Sequence, residues 1–180
     1  MIELRSEPYT LVPRPDIPET EKRFRSCLST EWCCGVMFGV LVHRKFAQPI
    51  EYDAILWSCD SALFIEYKDS VAAYKRMSAK RAQQISDSSR NIAKKFGFDE
   101  YAYILVVNGI QEATKKGNVV VIPLEQLPDH KPDFQSTRPE LDYVQKLIAQ
   151  YKREDSPVEV TRERVIRDLN VLGSMIEQQN

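Results

Sequence analysis

The sequence holds only two histidines, His43 and His130, and four cysteines, at 27, 33, 34 and 59, with no C-x-x-C pair among them. That spacing gives no footing to a zinc knuckle or a dithiol redox motif. No apolar run approaches the roughly 20 residues that span a bilayer. The start, Met1-Ile2-Glu3-Leu4-Arg5, lacks the basic-then-apolar layout of a secretory leader. We therefore expect a cytoplasmic protein with no membrane partner, most of whose reduced thiols act as small buried apolar groups. There is no overall charge excess either. Lys and Arg total 25 and Asp and Glu 26, a net charge of −1, so bulk charge gives no attraction to nucleic acid. Internal repeats and low-complexity tracts are absent.

What is present suits a globular fold: 180 residues, 43% hydrophobic and 28% charged, enough for one domain with a true core. Charge is segregated along the chain. Val71 to Lys95 carries seven basic residues (Lys75, Arg76, Lys80, Arg81, Arg90, Lys94, Lys95) against one acid, Asp87. Glu125 to the end carries eight basic and eleven acidic residues.

Residues 1–17, with prolines at 8, 13 and 15, read as an extended leader. Pro18 opens a helix over 19–28, with Glu21, Phe24 and Leu28 on one face. Strands are expected over 35–46, 51–57 and 61–68, the first ended by Ala47-Gln48-Pro49 and the last two joined by Ser58-Cys59-Asp60. Val71 to Phe96 reads as one long helix stopped by Gly97. Strands follow over 101–107 and 119–122, then a loop over 126–136. Two helices close the chain, one opened near residue 137 by a capping-box pattern and running to about Lys152, the other over 161–177.

Chemistry concentrates in Glu51-Tyr-Asp53-Ala-Ile-Leu-Trp and Ala62-Leu-Phe-Ile-Glu66-Tyr-Lys68. Strands this apolar belong at the centre of a sheet, where an unpaired charge costs several kcal/mol. A hairpin turning at Cys59-Asp60 would pair residues whose numbers sum to 119. Asp53 would then face Glu66, Glu51 would face Lys68, and all four would share a face. Two carboxylates can hold Mg²⁺ or Mn²⁺, and a lysine can direct a water or stabilise charge on phosphorus. That set suits metal-dependent phosphodiester hydrolysis. The basic residues Lys75, Arg76, Lys80 and Arg81, directly after the acid-x-Lys strand, suit phosphate contacts; a solvated helix face is the alternative.

An acid on one strand, acid-x-Lys on the next and then a long helix resembles the PD-(D/E)xK nuclease superfamily, over about half the chain. The resemblance implies a restriction-endonuclease-like α/β fold: a mixed central sheet flanked by helices, with a C-terminal helical pair. It implies a single domain over 1–180, with its core at 18–123 and a helical extension at 137–180. Asp53 and Glu66 match the metal-binding acids and Lys68 the catalytic lysine. Glu21 is the best match to a further acid on the first helix, and Gln83 or Gln84 to a polar residue on the following one. The implied activity is a Mg²⁺- or Mn²⁺-dependent endonuclease acting on DNA, for which a symmetric homodimer would cut both strands. Tyr52 stands where the motif has proline.

Plainer readings accompany each residue. Glu66 and Lys68 can form a surface salt bridge, and Glu51 can simply partner Lys68. Glu21, Gln83 and Gln84 can be ordinary helix polarity. Asp129-His130-Lys131, a literal D-x-K between prolines, reads as loop, and His43 as a core or edge residue. A catalytically silent nuclease-fold module that binds nucleic acid or assembles with partners is the rival to an enzyme.

Overall fold

Apolar alternation builds the sheet. β1 (Leu4–Ser6), β2 (Tyr9–Pro13), β3 (Gly35–Arg44), β4 (Ile50–Trp57) and β5 (Ser61–Lys68) form an antiparallel succession. β6 (Glu100–Val107) then pairs parallel to β5, and β8 (Val119–Pro123) parallel to β6. β7 (Thr114–Lys116) flanks β8, and β9 (Gln135–Ser136) pairs with the start of β6. The result, among the described residues, is an α/β fold on a mixed nine-stranded sheet ordered β1-β2-β3-β4-β5-β6-β8-β7. These residues are 4–14, 16, 18–44, 48–151 and 162–177 of the computed structural model, with 150, 151 and 162 described by backbone alone. Expectations resting on Pro15, Phe46, Ala47, Lys152 and Thr161 lie outside them.

β6 is buried from Tyr101 to Val107, as a central strand covered on both faces should be. Over one face lies α3 (Ala79–Phe96), which buries Ala82, Ile85, Ser89, Ile92 and Ala93. Gly97 ends it at φ +88°, and the Phe98 amide bonds the Ala93 carbonyl, the wrapped-back finish that favours glycine. Against the other face pack α1 (Glu19–Ser26) and a 3-10 turn (Leu124–Asp129). Phe24 of α1 stacks on Tyr67 of β5, with ring centroids 5.0 Å apart.

The structure departs from the sequence expectations in four elements, one of them the short β7, where no strand was expected. The leader contains the β1–β2 hairpin, joined through a cis Glu7–Pro8 peptide. The long helix is broken: α2 (Val71–Arg76) stops at Met77, whose backbone is extended, and Ser78 caps α3 by accepting from the Arg81 amide. The loop at 126–136 carries part of the 3-10 turn and β9.

By contact the chain resolves into two units, residues 1–137 and 138–180. The second consists of α4 (Pro139–Tyr151) and α5 (Arg162–Glu177), linked by Tyr143 donating to Asp168 at 3.4 Å. Its side chains Leu141, Ile148, Val165, Leu169 and Ile176 are exposed. Among the described residues no helix is long and apolar enough to cross a membrane.

Candidate active site

The β4–β5 register follows the expected sum of 119, with Trp57 facing Ala62, Leu56 facing Leu63, Ile55 facing Phe64 and Ala54 facing Ile65. The ladder then stops. Asp53 does not continue it by facing Glu66; its Oδ2 accepts the Tyr67 amide at 2.6 Å. A side chain thus satisfies a strand N–H that would otherwise be left without a partner.

The cause lies one strand over. Phe38 pairs with Ala54, and both pack on the α1 face. Val40 pairs with Tyr52, and both pack on the α3 face. Residues two apart in a strand ordinarily share a face, so the alternation breaks in both strands at once, at Gly39 and Asp53. Gly39 has φ +55°, a left-handed conformation costly for any residue with a Cβ. This paired kink turns Asp53 out of the regular alternation and toward β5.

Around that point the acids are individually paired. Arg14, just past β2, donates to Glu21 at 2.8 Å, reaches Glu51 at 2.6 Å and stands 3.9 Å from Asp53 Oδ1. Arg25, one helical turn beyond Glu21, holds its other oxygen at 3.0 Å. Lys68 Nζ meets Glu66 Oε1 at 2.5 Å, and the Tyr103 hydroxyl donates to Glu66 Oε2 at 2.8 Å. The expected Glu51–Lys68 pair is therefore corrected: alternation fails between Glu51 and Ala54, so Glu51 goes to Arg14 and Lys68 to its own strand neighbour. The Glu66–Lys68 ion pair of the plainer reading does form, but within one strand and only part-exposed, with the Glu66 side chain at 12%.

Burial pushes the Asp53 carboxyl up to about 7; the Tyr67 amide bond opposes this, the charges of Glu21 and Glu66 add to it, and Lys68 opposes. Burial also opposes the charge on Arg14, but the Glu21 hydrogen bond and the charges of Glu51, Glu21 and Asp53 outweigh it and raise its pKa. Tyr103 is held well above the ordinary tyrosine range by burial and then by Glu66.

The donor chemistry fits a hard divalent ion. Asp53 and Glu66 are oxygen donors with lone pairs beyond those in use. Four acids (Glu21, Glu51, Asp53, Glu66) stand with three bases (Arg14, Arg25, Lys68), so an excess negative charge appears only once Asp53 loses its proton near pH 7. Among the described residues no three His, Cys, Asp or Glu side chains form a group that could hold a metal, so a third protein ligand is not in place. Glu21 is buried, with each carboxylate oxygen bonded by an arginine.

Lys75, Arg76, Lys80, Arg81 and Gln84 are exposed on α2 and α3. Gln83 donates to Asp87 at 3.1 Å on the same helix. His43 is exposed in β3, and His130 directly follows the 3-10 turn. Sequence reasoning missed Arg14, Arg25 and Tyr103. The four-residue spacing of Glu21 and Arg25 was a readable signal; Tyr103 looked like one more apolar strand residue, and Arg14 gave no signal at all.

Fold and site together define an α/β protein in which a kinked sheet holds an acid–lysine cluster. Compared with known proteins, the chain matches no protein-family model and no curated sequence.

Proposed function

We propose that the protein is a Mg²⁺- or Mn²⁺-dependent nuclease of PD-(D/E)xK type, with a restriction-endonuclease-like fold, hydrolysing phosphodiester bonds in DNA. One observation carries this reading: the buried Asp53 carboxyl, raised to about 7, sits where β4 and β5 part, beside the Glu66–Lys68 pair. Asp53 and Glu66 would hold the ion, with Glu21 a further acid whose charge acts on Asp53. The metal would neutralise phosphate charge and acidify a water. Lys68 orients that water and stabilises charge developing on phosphorus. Tyr103 fixes the Glu66 carboxylate, and Arg14 with Arg25 fixes Glu21. Lys75, Arg76, Lys80 and Arg81 contact the phosphate backbone without reading sequence, with Gln84 beside them. Two copies in a symmetric dimer would cut both strands of a duplex.

A second reading is favoured by the saturation of the acids: both oxygens of Glu21 and of Glu66 already have partners. In that reading the chain is a catalytically silent module that binds nucleic acid or assembles with partners. Mn²⁺ calorimetry on wild type and Asp53→Ala, with cleavage assays over single-strand, duplex, flap and junction DNA, separates the two. The nuclease reading expects Mn²⁺ binding that Asp53→Ala abolishes. It also expects cleavage lowered by about 10²–10⁴-fold in Lys68→Ala with DNA affinity nearly intact. DNA binding with neither metal uptake nor cleavage would establish the silent module, and undiminished cleavage by Lys68→Ala would sink the mechanism.

A further inference from the structure

The sulfurs of Cys34 and Cys59 lie 4.0 Å apart, both on exposed residues. Their backbones are fixed independently. The Cys34 amide donates to the Trp57 carbonyl at 2.7 Å, extending the β3–β4 ladder past Gly35 and Trp57. Cys59 sits in the β4–β5 turn, closed by the Ser58 amide donating to the Ser61 carbonyl at 2.9 Å. Hydroxyl bonds from Ser58 to Asp60 and Ser61 brace the same turn. Bringing the sulfurs to the disulfide length of about 2.05 Å therefore asks for side-chain rotation on two held backbones. The other two thiols point elsewhere: Cys33 donates to the Thr30 carbonyl at 3.3 Å, and Cys27 packs against the α1-side core.

We propose that Cys34 and Cys59 form a reversible redox-modification site that closes to an intramolecular disulfide by exchange with low-molecular-weight disulfides of the glutathione class. One cysteine thiolate attacks the small disulfide, forms a mixed disulfide and releases one thiol. The second cysteine thiolate attacks the protein sulfur of that bond and releases the other. Two protein thiols are oxidised, one small disulfide is reduced to two thiols, and the two protein protons end on those products. The Cys59 sulfur, by hydrogen bond and then by charge, holds the Cys34 thiol above its ordinary range, so exchange accelerates as pH rises. The bond ties the start of β3 to the β4–β5 turn, at the opposite end of that hairpin from Asp53 and Glu66. It does not depend on the nuclease reading.

The test incubates the full chain with oxidised glutathione at mildly alkaline pH, then counts thiols and maps unreduced peptides. Free thiols should fall from four to two, with the mass of two hydrogens lost, a single Cys34–Cys59 cross-link and complete reversal by dithiothreitol. Cys33→Ser should retain that cross-link. Cys34→Ser and Cys59→Ser should each end as a glutathione adduct on the surviving partner. The oxidised wild type should melt above the reduced form. Four persisting thiols, glutathione adducts alone, or a cross-link through Cys27 or Cys33 would overturn the assignment.

Discussion

The two ends of the β4–β5 hairpin obey different rules. From Trp57–Ala62 to Ala54–Ile65 every position pairs across the strands and the side chains alternate between two apolar layers. Beyond Ala54 the main-chain pairing ends, a carboxylate takes an amide in place of a carbonyl, and ion pairs replace apolar contacts. The turn end is an ordinary core held by burial. The open end spends folding energy: it keeps a carboxyl among other acids under a pKa near 7. Departure from the local rule at one place, with compliance elsewhere, is what singles out the open end as the candidate site.

That contrast predicts mutations of opposite sign on the two paired strands. Phe64, 2% exposed and packed against the Tyr52 ring with centroids 5.0 Å apart, belongs to the turn-end regime. Phe64→Ala should cost about 3–5 kcal/mol in urea unfolding. Asp53→Asn, whose amide oxygen can still accept from Tyr67, should stabilise. The folded pKa of Asp53 is raised from 3.8 to about 7, so the folded state holds the proton more tightly than the unfolded chain does. The associated stability is complete below about pH 4, falls as pH rises and is gone above about pH 7. Asp53→Asn avoids that loss. In chelator, its gain over wild type should be absent near pH 4 and reach on the order of 2–4 kcal/mol by about pH 8. A gain that does not vary with pH would break the comparison, because the two ends would then differ in packing alone.

How far the hairpin could be read in advance follows from the same division. The sum-of-119 register was legible because Ala54 to Trp57 and Ala62 to Ile65 leave apolar packing as the only consideration. The seam and glycine stop of α3 were legible for the same reason. Past Ala54 the expected register does not continue, because the kink coincides with Gly39 in the neighbouring strand β3. A glycine inside a strand was a hint; nothing in the local pattern said that Asp53 would kink with it. The β1–β2 hairpin was hidden by prolines and shortness, since β1 is held only by β2 and β2 in turn by β3. The break between α2 and α3 has neither Gly nor Pro to mark it; Ser78 makes it by capping.

Gly39 sharpens the comparison at the site of the kink. A Cβ there would adopt the left-handed region at φ +55° and fall 2.9 Å from Arg14 Nε. Gly39→Ala should cost about 1–2 kcal/mol for conformation alone, with displacement of Arg14 bringing the total to about 2–3 kcal/mol. If the kink sets the site, the same substitution should shift Asp53 titration, read by carboxyl NMR, while leaving turn-end amide protection unchanged. Loss of protection at both ends together would mean that the hairpin is one cooperative block.

The smallest effect separates two buried tyrosines on the α3 face. Tyr52 shares a hydrogen bond with Ser89 at 2.9 Å, a neutral pair linking β4 to α3. Tyr103 donates to Glu66 at 2.8 Å, so its hydroxyl serves an acid of the open end. A bond to a charged acceptor is worth more than a neutral one, so Tyr103→Phe should cost about 1–2 kcal/mol and Tyr52→Phe about 1 kcal/mol or less. The decisive difference is in what else moves. Tyr103→Phe leaves a Glu66 oxygen without its donor and, on the proposed nuclease reading, should lower cleavage a few-fold, while Tyr52→Phe should change stability alone. Equal effects on cleavage would show that Tyr103 packs the sheet without positioning Glu66, and the open end would then consist of Asp53, Glu66 and Lys68 without a supporting hydroxyl.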